Sequence, residues 1–354
     1  MTTTAGDPAW EAALRFYASR SVLITGGASF IGSHLVELLL KAGAHLTVLD
    51  DLSSGKLENL GSMAKDVNFV QGDVRSQDKV EAAAAGCEVM FHLANAHGGR
   101  GYIDTHPVEC VNNLICDHAA FAAAAAVGCG RIIYAGSACA YPVSLQTDAT
   151  ATNLLEESEA GFEVQGRAFP DGEYGWAKLM GELQLRAFHR QFGIDTVACR
   201  IFTAYGPREN ESHAVIALVA KALARMDPYP IWGDGSQTRN FTYVKDTVTG
   251  MALAGARLNG CQAINIGTDE HISIDELIEE IFGILSWHPS EIKREIDMPV
   301  GVMRRAASLK KCRSELDWTP SWNLHDGLKE TISWYESHTD AKQLAGLDKL
   351  LLSR

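Results

Sequence analysis

The chain has no run of about 18 consecutive apolar residues, the length a helix needs to cross a bilayer, so no membrane span is expected. It has no excess of basic charge either. Lys and Arg number 31 against 44 Asp and Glu, giving a formal net charge of −13. That balance argues against nucleic acid or an anionic membrane as a general partner, and leaves room for a local arginine cluster that binds a small anion. None of the eight cysteines forms a C-x-x-C pair, and no His/Cys cluster has zinc spacing, so no metal site is expected. Eight cysteines in 354 residues are too few for a disulfide scaffold, and free thiols in a reducing cytoplasm are expected. The opening residues, MTTTAGDPAWEAALRFYASR, lack a cationic segment followed by an apolar one, so no secretory signal is expected. Internal repeats are absent. The runs EAAAAG and FAAAAAVG read as alanine-rich helix faces packed closely on a neighbour.

What is present is a rhythm. Hydrophobic residues make up 46% of the chain, enough for a sizeable core. Short apolar runs at 21–27, 45–51, 68–74, 89–95, 131–137 and 195–202 predict strands. Helical patterns fall between them at 31–43, 77–85, 107–127 and 174–192. This alternation predicts an α/β fold, a doubly wound parallel Rossmann sheet. After about residue 203 the rhythm changes to a Gly- and Pro-containing loop, YGPRENESH, and a helix at 214–226. The expected organisation is an N-terminal extension (1–20) and a dinucleotide-binding domain (21–202, with 241–267 returning to it). A smaller substrate-binding lobe (203–240 and 268–354) closes over the carboxyl ends of the strands.

TGGASFIG (25–32) falls at the first strand-to-helix turn. Gly26 and Gly32 hold the outer positions of a glycine-rich loop, Ser29 the middle one, and Phe30 and Ile31 open the helix. Small residues there let backbone N–H groups approach a pyrophosphate at a helix N-terminus. Asp50 ends the second strand, where a carboxylate accepts hydrogen bonds from a ribose diol and repels a 2′-phosphate. NAD is therefore expected rather than NADP. Asp73 and Val74 follow the third strand and Leu93 ends the fourth; all three are expected at the cofactor, with Asp73 at the adenine edge.

In YGWAK, Tyr174 and Lys178 stand at i and i+4, on one face of a helix. An ammonium beside a phenol favours phenolate, and the pair is expected to draw the tyrosine pKa toward neutrality. Tyr174 can then take a proton from a sugar hydroxyl while Ser137 bonds the same oxygen. With these residues in view, the chain resembles an extended short-chain dehydrogenase/reductase acting on nucleotide sugars. The likeness runs from about Ser21 to about Tyr335. It includes RIFTAYGP (200–207), GDGSQTRNFTYVKD (233–246) and LDWTPSW (316–322). It implies a nucleotide diphosphate-sugar substrate, a phosphate contact at Arg239, and a homodimer formed through the helices at 107–127 and 174–192.

The residues beside Ser137 separate the chemistries of such proteins. The resemblance implies an acidic pair there in 4,6-dehydratases, whereas Ala138 and Cys139 stand in this chain. If the strand runs on extended, Ser137 and Cys139 face the same side. GSACAYP (136–142) is similar to the matching segment of GDP-fucose synthases and GDP-mannose 3,5-epimerases, which implies that Cys139 moves a carbon-bound proton. ESHAVIAL puts His213 at the partner position. HGGRGYIDTHPVECVNN (97–113) resembles a substrate-side loop, with Gly98 and Gly99 in matching places. His97 and His106 fall in the same segment without an assigned role. Thr203 and Arg305 match further substrate contacts. The expectation is an NAD-dependent nucleotide-sugar epimerase of the GDP-mannose 3,5-epimerase type. A UDP-sugar 4-epimerase is the alternative, and a non-catalytic NAD-binding protein the reading from another class.

Overall fold

The computed structural model describes residues 8–148, 150–162, 168–210 and 213–338. Six of the strands expected from the apolar runs form as β1 (Ser21–Thr25), β2 (His45–Asp50), β3 (Asn68–Gln71), β4 (Val89–His92), β5 (Arg131–Ser137) and β6 (Asp195–Ile201). A seventh, Cys261–Ile266, returns from late in the chain to pair with β6. All seven are parallel, in the order seventh–β6–β5–β4–β1–β2–β3. The order reverses between β1 and β4, and that switch point is where open α/β sheets bind ligands.

Alternation along each strand explains why the sheet is covered on both sides. Val22, Ile24, Phe91, Ile133 and Val197 point into one apolar cluster; Leu23, Met90, Ile132 and Ala198 point into the other. The first face carries α2 (Phe30–Lys41) and α8 (Val244–Arg257), and α1 (Pro8–Tyr17) packs on α8. The second carries α3 (Gln77–Ala83), α5 (Pro107–Ala126) and α6 (Gly172–Phe192). On α5 the alanine run is buried at Ala119, Ala120, Ala123 and Ala124, and α5 and α6 lie side by side. Full burial of each large aliphatic side chain in these clusters contributes about 1.5–3 kcal/mol. Of the expected N-terminal extension, α1 is integrated into the fold: Tyr17 is fully buried and its hydroxyl donates to Ala252 O at 2.7 Å. Residues 1–7 of that extension and 339–354 of the expected substrate lobe lie outside the described residues.

α4 (Arg100–Thr105) follows β4, and α7 (Ala214–Leu223) buries Val215, Ile216, Leu218 and Val219 in the first cluster. Three short strands, Ile272–Ser273, Thr238–Arg239 and Arg304–Arg305, make a small separate sheet. Its parallel register sets Arg305 directly beside Arg239. Among the described residues no helix is long and apolar enough to cross a membrane, no group of three or more metal-ligating side chains forms, and all eight cysteines are free.

Candidate active site

The glycine loop is built by close approach. Gly26 has φ +72°, and a Cβ there would stand 2.9 Å from Ala94 N. A Cβ on Gly32 would stand 2.1 Å from Gly26 O. Ser29 caps α2: its Oγ donates to Gly26 O at 2.6 Å and accepts from Gly32 N at 3.4 Å. The serine therefore holds the loop shut instead of occupying it. Phe30 and Ile31 pack partly buried on the core behind it. Asp50 is buried at the end of β2, where Oδ2 accepts from Ala28 N and Oδ1 from Leu52 N, both at 2.9 Å. A Cβ on Gly55 would stand 2.8 Å from Asp50 Oδ1, so the chain leaves that carboxylate room on its outer side. A helix N-terminus reached through a loop of small residues and a carboxylate with unused lone pairs fit a dinucleotide with an unphosphorylated ribose.

Two cofactor expectations change. Asp73 spends its carboxylate on Arg75, with Nη2 to Oδ2 at 2.5 Å, because the arginine follows two residues later in the same turn. An adenine at that edge has to compete with this pair. Val74 and Leu93 bury their side chains in the two core clusters, so what they offer a ligand is backbone.

Ser137 ends β5, but Cys139 does not continue the strand. Ala138–Ala140 form a 3₁₀ turn capped by Ser137, whose Oγ accepts from Cys139 N at 3.1 Å. The expected extended geometry is overturned because a serine at this point offers the turn a cap. Ala138 is correspondingly turned into an apolar cluster with Tyr141, Leu155, Phe202 and Ala307. This turn also docks α6. Asp171 N donates to Cys139 O at 3.0 Å, and a Cβ on Gly175 would lie 2.4 Å from Cys139 O. The first turn of α6 is thus pressed against residues 138–140, which brings Tyr174 into hydrogen bonding with Ser137.

Lys178 is buried one turn on. Its Nζ donates to Ala135 O at 2.8 Å and to Asn95 Oδ1, and sits 5.7 Å from the centre of the Tyr174 ring. Burial dominates both groups. It pushes the Tyr174 phenol well above its ordinary range, with Cys139 adding to the rise and Ser137 opposing it, and it pushes the Lys178 ammonium down to about 8. The direction at Tyr174 is thus opposite to the draw toward neutrality expected from Lys178, because desolvation disfavours the phenolate.

Arg305 is not free for a substrate in the way the sequence implied. Nη1 donates to Cys139 Sγ at 3.2 Å, Nη2 to Asp171 Oδ2 at 3.1 Å, and Nε to Gln146 Oε1 at 2.6 Å. Arg100 Nη1 takes the other oxygen of Asp171 at 2.8 Å. Burial pushes Asp171 up, but Arg305 and Arg100 outweigh it and hold the carboxyl below its usual range. Among the described residues Arg239 bonds to carbonyls, Thr238 O at 2.7 Å and Val300 O at 2.8 Å. Burial, with Arg305 adding repulsion, lowers its guanidinium to about 9. Arg100 also pairs with Asp104, Nη2 to Oδ1 at 2.5 Å, so three guanidinium groups meet two carboxylates, and an anionic ligand relieves the remaining positive charge.

His213 is the N-cap residue of α7. Its ring meets His97 edge-to-face, with centroids 5.8 Å apart, and its Nδ1 lies 3.1 Å from Glu209 Oε1. The Glu209 side chain is 2% exposed, and neither oxygen has a hydrogen-bond partner among the described residues. Burial lowers His213 to about 3 and His97 to about 4, and lifts Glu209 well above the usual carboxyl range. Burial thus disfavours charge on both the glutamate and the histidine. Gly98 and Gly99 open α4; a Cβ on Gly98 would strike Tyr102 at 2.6 Å. Thr203 follows β6, where its carbonyl accepts from Thr242 N at 2.8 Å. Asn95, Arg100, Asp171 and Glu209 were not singled out from the sequence. Two carried a signal there: Asp171, as an acidic residue just before the helix that bears Tyr174, and Glu209, four residues before His213.

The profile of the NAD dependent epimerase/dehydratase family matches residues 22–267. The chain belongs to that family. It is an enzyme of the NAD-dependent sugar-nucleotide epimerase class. It is 31% identical over 333 residues to the GDP-mannose 3,5-epimerase 1 of Oryza sativa subsp. japonica, covering 92% of this chain and 84% of that one. It is 29% identical to the UDP-glucose 4-epimerase of Mycolicibacterium smegmatis, covering 89% and 98%. A double mutant of the dTDP-glucose 4,6-dehydratase from Streptomyces venezuelae, solved with NAD bound, superposes with a TM-score of 0.81 at 25% identity, covering 92% and 99%.

Proposed function

We propose that this family member is a nucleotide-sugar epimerase of the GDP-mannose 3,5-epimerase type, retaining NAD through a cycle of oxidation, proton exchange and reduction. The observation that carries this reading is the thiol of Cys139 beside Ser137 and Tyr174, with an arginine N–H aimed at its sulfur at 3.2 Å. Oxidation of the sugar at C4 makes the protons on C3 and C5 acidic, and a thiolate held by a guanidinium is a base suited to removing them.

NAD, when bound, supplies the hydride acceptor and later donor, and its oxidised ring adds a positive charge that opposes the cost of a buried phenolate. Gly26, Gly32 and the first turn of α2 hold the pyrophosphate and Asp50 the ribose. Tyr174 takes the C4 hydroxyl proton, with Ser137 bonding the same oxygen and Lys178 placed behind the phenol. Cys139 then removes a proton from carbon. His213 returns one to the opposite face through Nε2, with Glu209 Oε1 3.1 Å from its Nδ1. Arg239 takes the diphosphate. Residues 21–202 and 241–267 serve NAD, and the remainder after 202 serves the sugar nucleotide.

A UDP-sugar 4-epimerase is the second reading. It is favoured by the low position of His213, because 4-epimerisation needs no carbon acid. Incubation with GDP-mannose in heavy water separates the two. Deuterium at C3 or C5 supports the first reading, and product without carbon-bound deuterium supports the second. The eight free cysteines support a reducing, cytoplasmic setting. A second copy of the chain is the expected partner. Val108, Val111 and Ile115 on α5, with Phe169 and Trp176 at the start of α6, form an exposed apolar face on one helix pair.

A further inference from the structure

Beneath the Tyr174–Lys178 pair lies a carboxylate that no step above uses. Asp117, on α5, has no exposed surface. Its Oδ1 accepts from His92 Nε2 at 3.0 Å and from Asn95 Nδ2 at 2.9 Å, and its Oδ2 accepts from Tyr134 OH at 2.9 Å. The histidine tautomer follows from its other neighbour. Thr25 Oγ1 already accepts from Leu93 N and Ala94 N, at 3.2 and 3.3 Å, so its own proton goes to His92 Nδ1 at 2.7 Å. The ring proton therefore sits on Nε2 and points at Asp117. All three donors are dipoles without formal charge. A carboxylate this deep also needs a cation close by.

Lys178 is that cation. Its Nζ donates to Asn95 Oδ1 and stands 4.8 Å from the centre of the Tyr134 ring. Asn95 and Tyr134 thus each touch both charges. The amide of Asn95 has its nitrogen on the carboxylate and its oxygen on the ammonium, so it transmits the attraction and fixes where Nζ sits. A separate observation shows that space is kept for this arrangement. A Cβ on Gly181 would stand 2.5 Å from Tyr134 OH and 2.6 Å from Asp117 Oδ2. Glycine inside a helix weakens it. Here it sits three residues after Lys178, on the same face of α6, where a larger residue would displace the carboxylate.

We propose that Asp117 is the buried counter-ion of Lys178, a positioning residue that acts through Asn95 and Tyr134 to keep the ammonium charged and aimed at Tyr174. The inference rests on Tyr174 and Lys178 being the redox pair. The groups facing Lys178 are Asp117 and Cys116 from α5, Tyr134 from β5, Tyr174 from α6, Cys139 from the 3₁₀ turn and His97 from the loop after β4. Asp117 is the one carboxylate among them. Burial lowers the ammonium to about 8, and Asp117 is the foremost group opposing that fall.

The test follows Lys178 itself, by carbon-13 NMR of lysine labelled at Cε, with the Lys178→Arg spectrum giving the assignment. In Asp117→Asn, which is nearly isosteric, the titration midpoint should move down by about one unit or more, leaving roughly tenfold less charged lysine in the alkaline range. Asp117→Ser removes the same charge with less volume and serves if the amide variant does not fold. An unchanged midpoint in either folded variant overturns the proposal. The pH profile of deuterium exchange into GDP-mannose is the second arm, and its alkaline limb should move down with the midpoint. If the wild type does not act on GDP-mannose, the functional reading fails while the NMR arm still decides the role of Asp117.

Discussion

Arg305 Nη1 stands 3.2 Å from Cys139 Sγ, and the same guanidinium is anchored on Asp171 at 3.1 Å. A hydrogen bond to a charged partner contributes about 1.5–3 kcal/mol, which holds the guanidinium beside the sulfur. Six cysteines are buried, Cys139 is half-buried and Cys261 is exposed. In a Cys261→Ser background, iodoacetamide should therefore label Cys139 first. Arg305→Gln should slow that labelling roughly tenfold near neutral pH. Equal rates in the two proteins would mean that the guanidinium does not support a thiolate.

Cys139→Ala separates the two halves of the proposed cycle. Tyr174, Lys178 and Ser137 remain, so C4 oxidation should persist and be visible as bound NADH absorbance. Proton exchange at carbon should fall by a factor of at least about a hundred, the lower end of what one positioned acid or base contributes. Mass spectrometry of the sugar recovered from heavy water reads the loss. Normal exchange in the variant would remove Cys139 from the mechanism.

The sheet was legible because burial on both faces forces long apolar runs, and because glycine, asparagine and acidic residues punctuate them. The glycine loop, Asp50 and the Tyr174–Lys178 spacing were legible because each is a local pattern. The environment of Cys139 was not. Its turn depends on one serine side chain choosing the backbone, and its arginine arrives from 166 residues away through a two-residue strand. Asn95 and Asp117 act only through burial and long-range contact, for which sequence spacing has no signature, whereas Glu209 stands at the local i,i+4 spacing from His213. The pKa of Tyr174 was misjudged for the same reason: pattern reading counts the nearby charge and omits the desolvation.

The pH dependence follows from Lys178. Burial holds its folded pKa near 8, below that of an exposed lysine, so the charged form prevails below that value and is lost above it. With the ammonium required behind Tyr174, kcat/KM should fall above pH 8, by tenfold per unit at the limit. His213 and His97, lowered to about 3 and about 4, add no step in the neutral range. A plateau that extends past about pH 10, where an ordinary lysine titrates, would show that the charge on Lys178 is not needed.

Asp50 has two tasks, and its replacement should reveal both. The buried carboxylate accepts from Ala28 N and Leu52 N at 2.9 Å, and loss of two charge-assisted bonds costs about 3 kcal/mol or more. Asp50→Ala should therefore lower the thermal midpoint. Asp50→Asn keeps more of the loop and removes the charge that repels a 2′-phosphate. Titrations followed by nucleotide fluorescence should show NADH binding weakened and the preference over NADPH reduced at least tenfold. A preference that survives Asp50→Asn would place cofactor selection elsewhere.

The exposed face of α5 and α6 tests assembly. Val108, Val111 and Ile115 repeat at helical spacing with exposures of 67%, 43% and 52%, and Trp176 and Phe169 extend the patch at 40% and 68%. Burying one such aliphatic side chain contributes about 1.5–3 kcal/mol, and several together against a second copy of the same face are enough to hold a dimer. Placing a carboxylate in the middle reverses that term. Ile115→Glu should raise the dissociation constant by more than about a hundredfold, since an unpaired charge in such a contact costs at least about 3 kcal/mol. Light scattering behind size exclusion should then report twice the chain mass for the wild type and the chain mass for the variant. The thermal midpoint at high concentration should fall with it, because association stabilises only the folded chain. A wild type that runs at the chain mass at every concentration would refute the dimer.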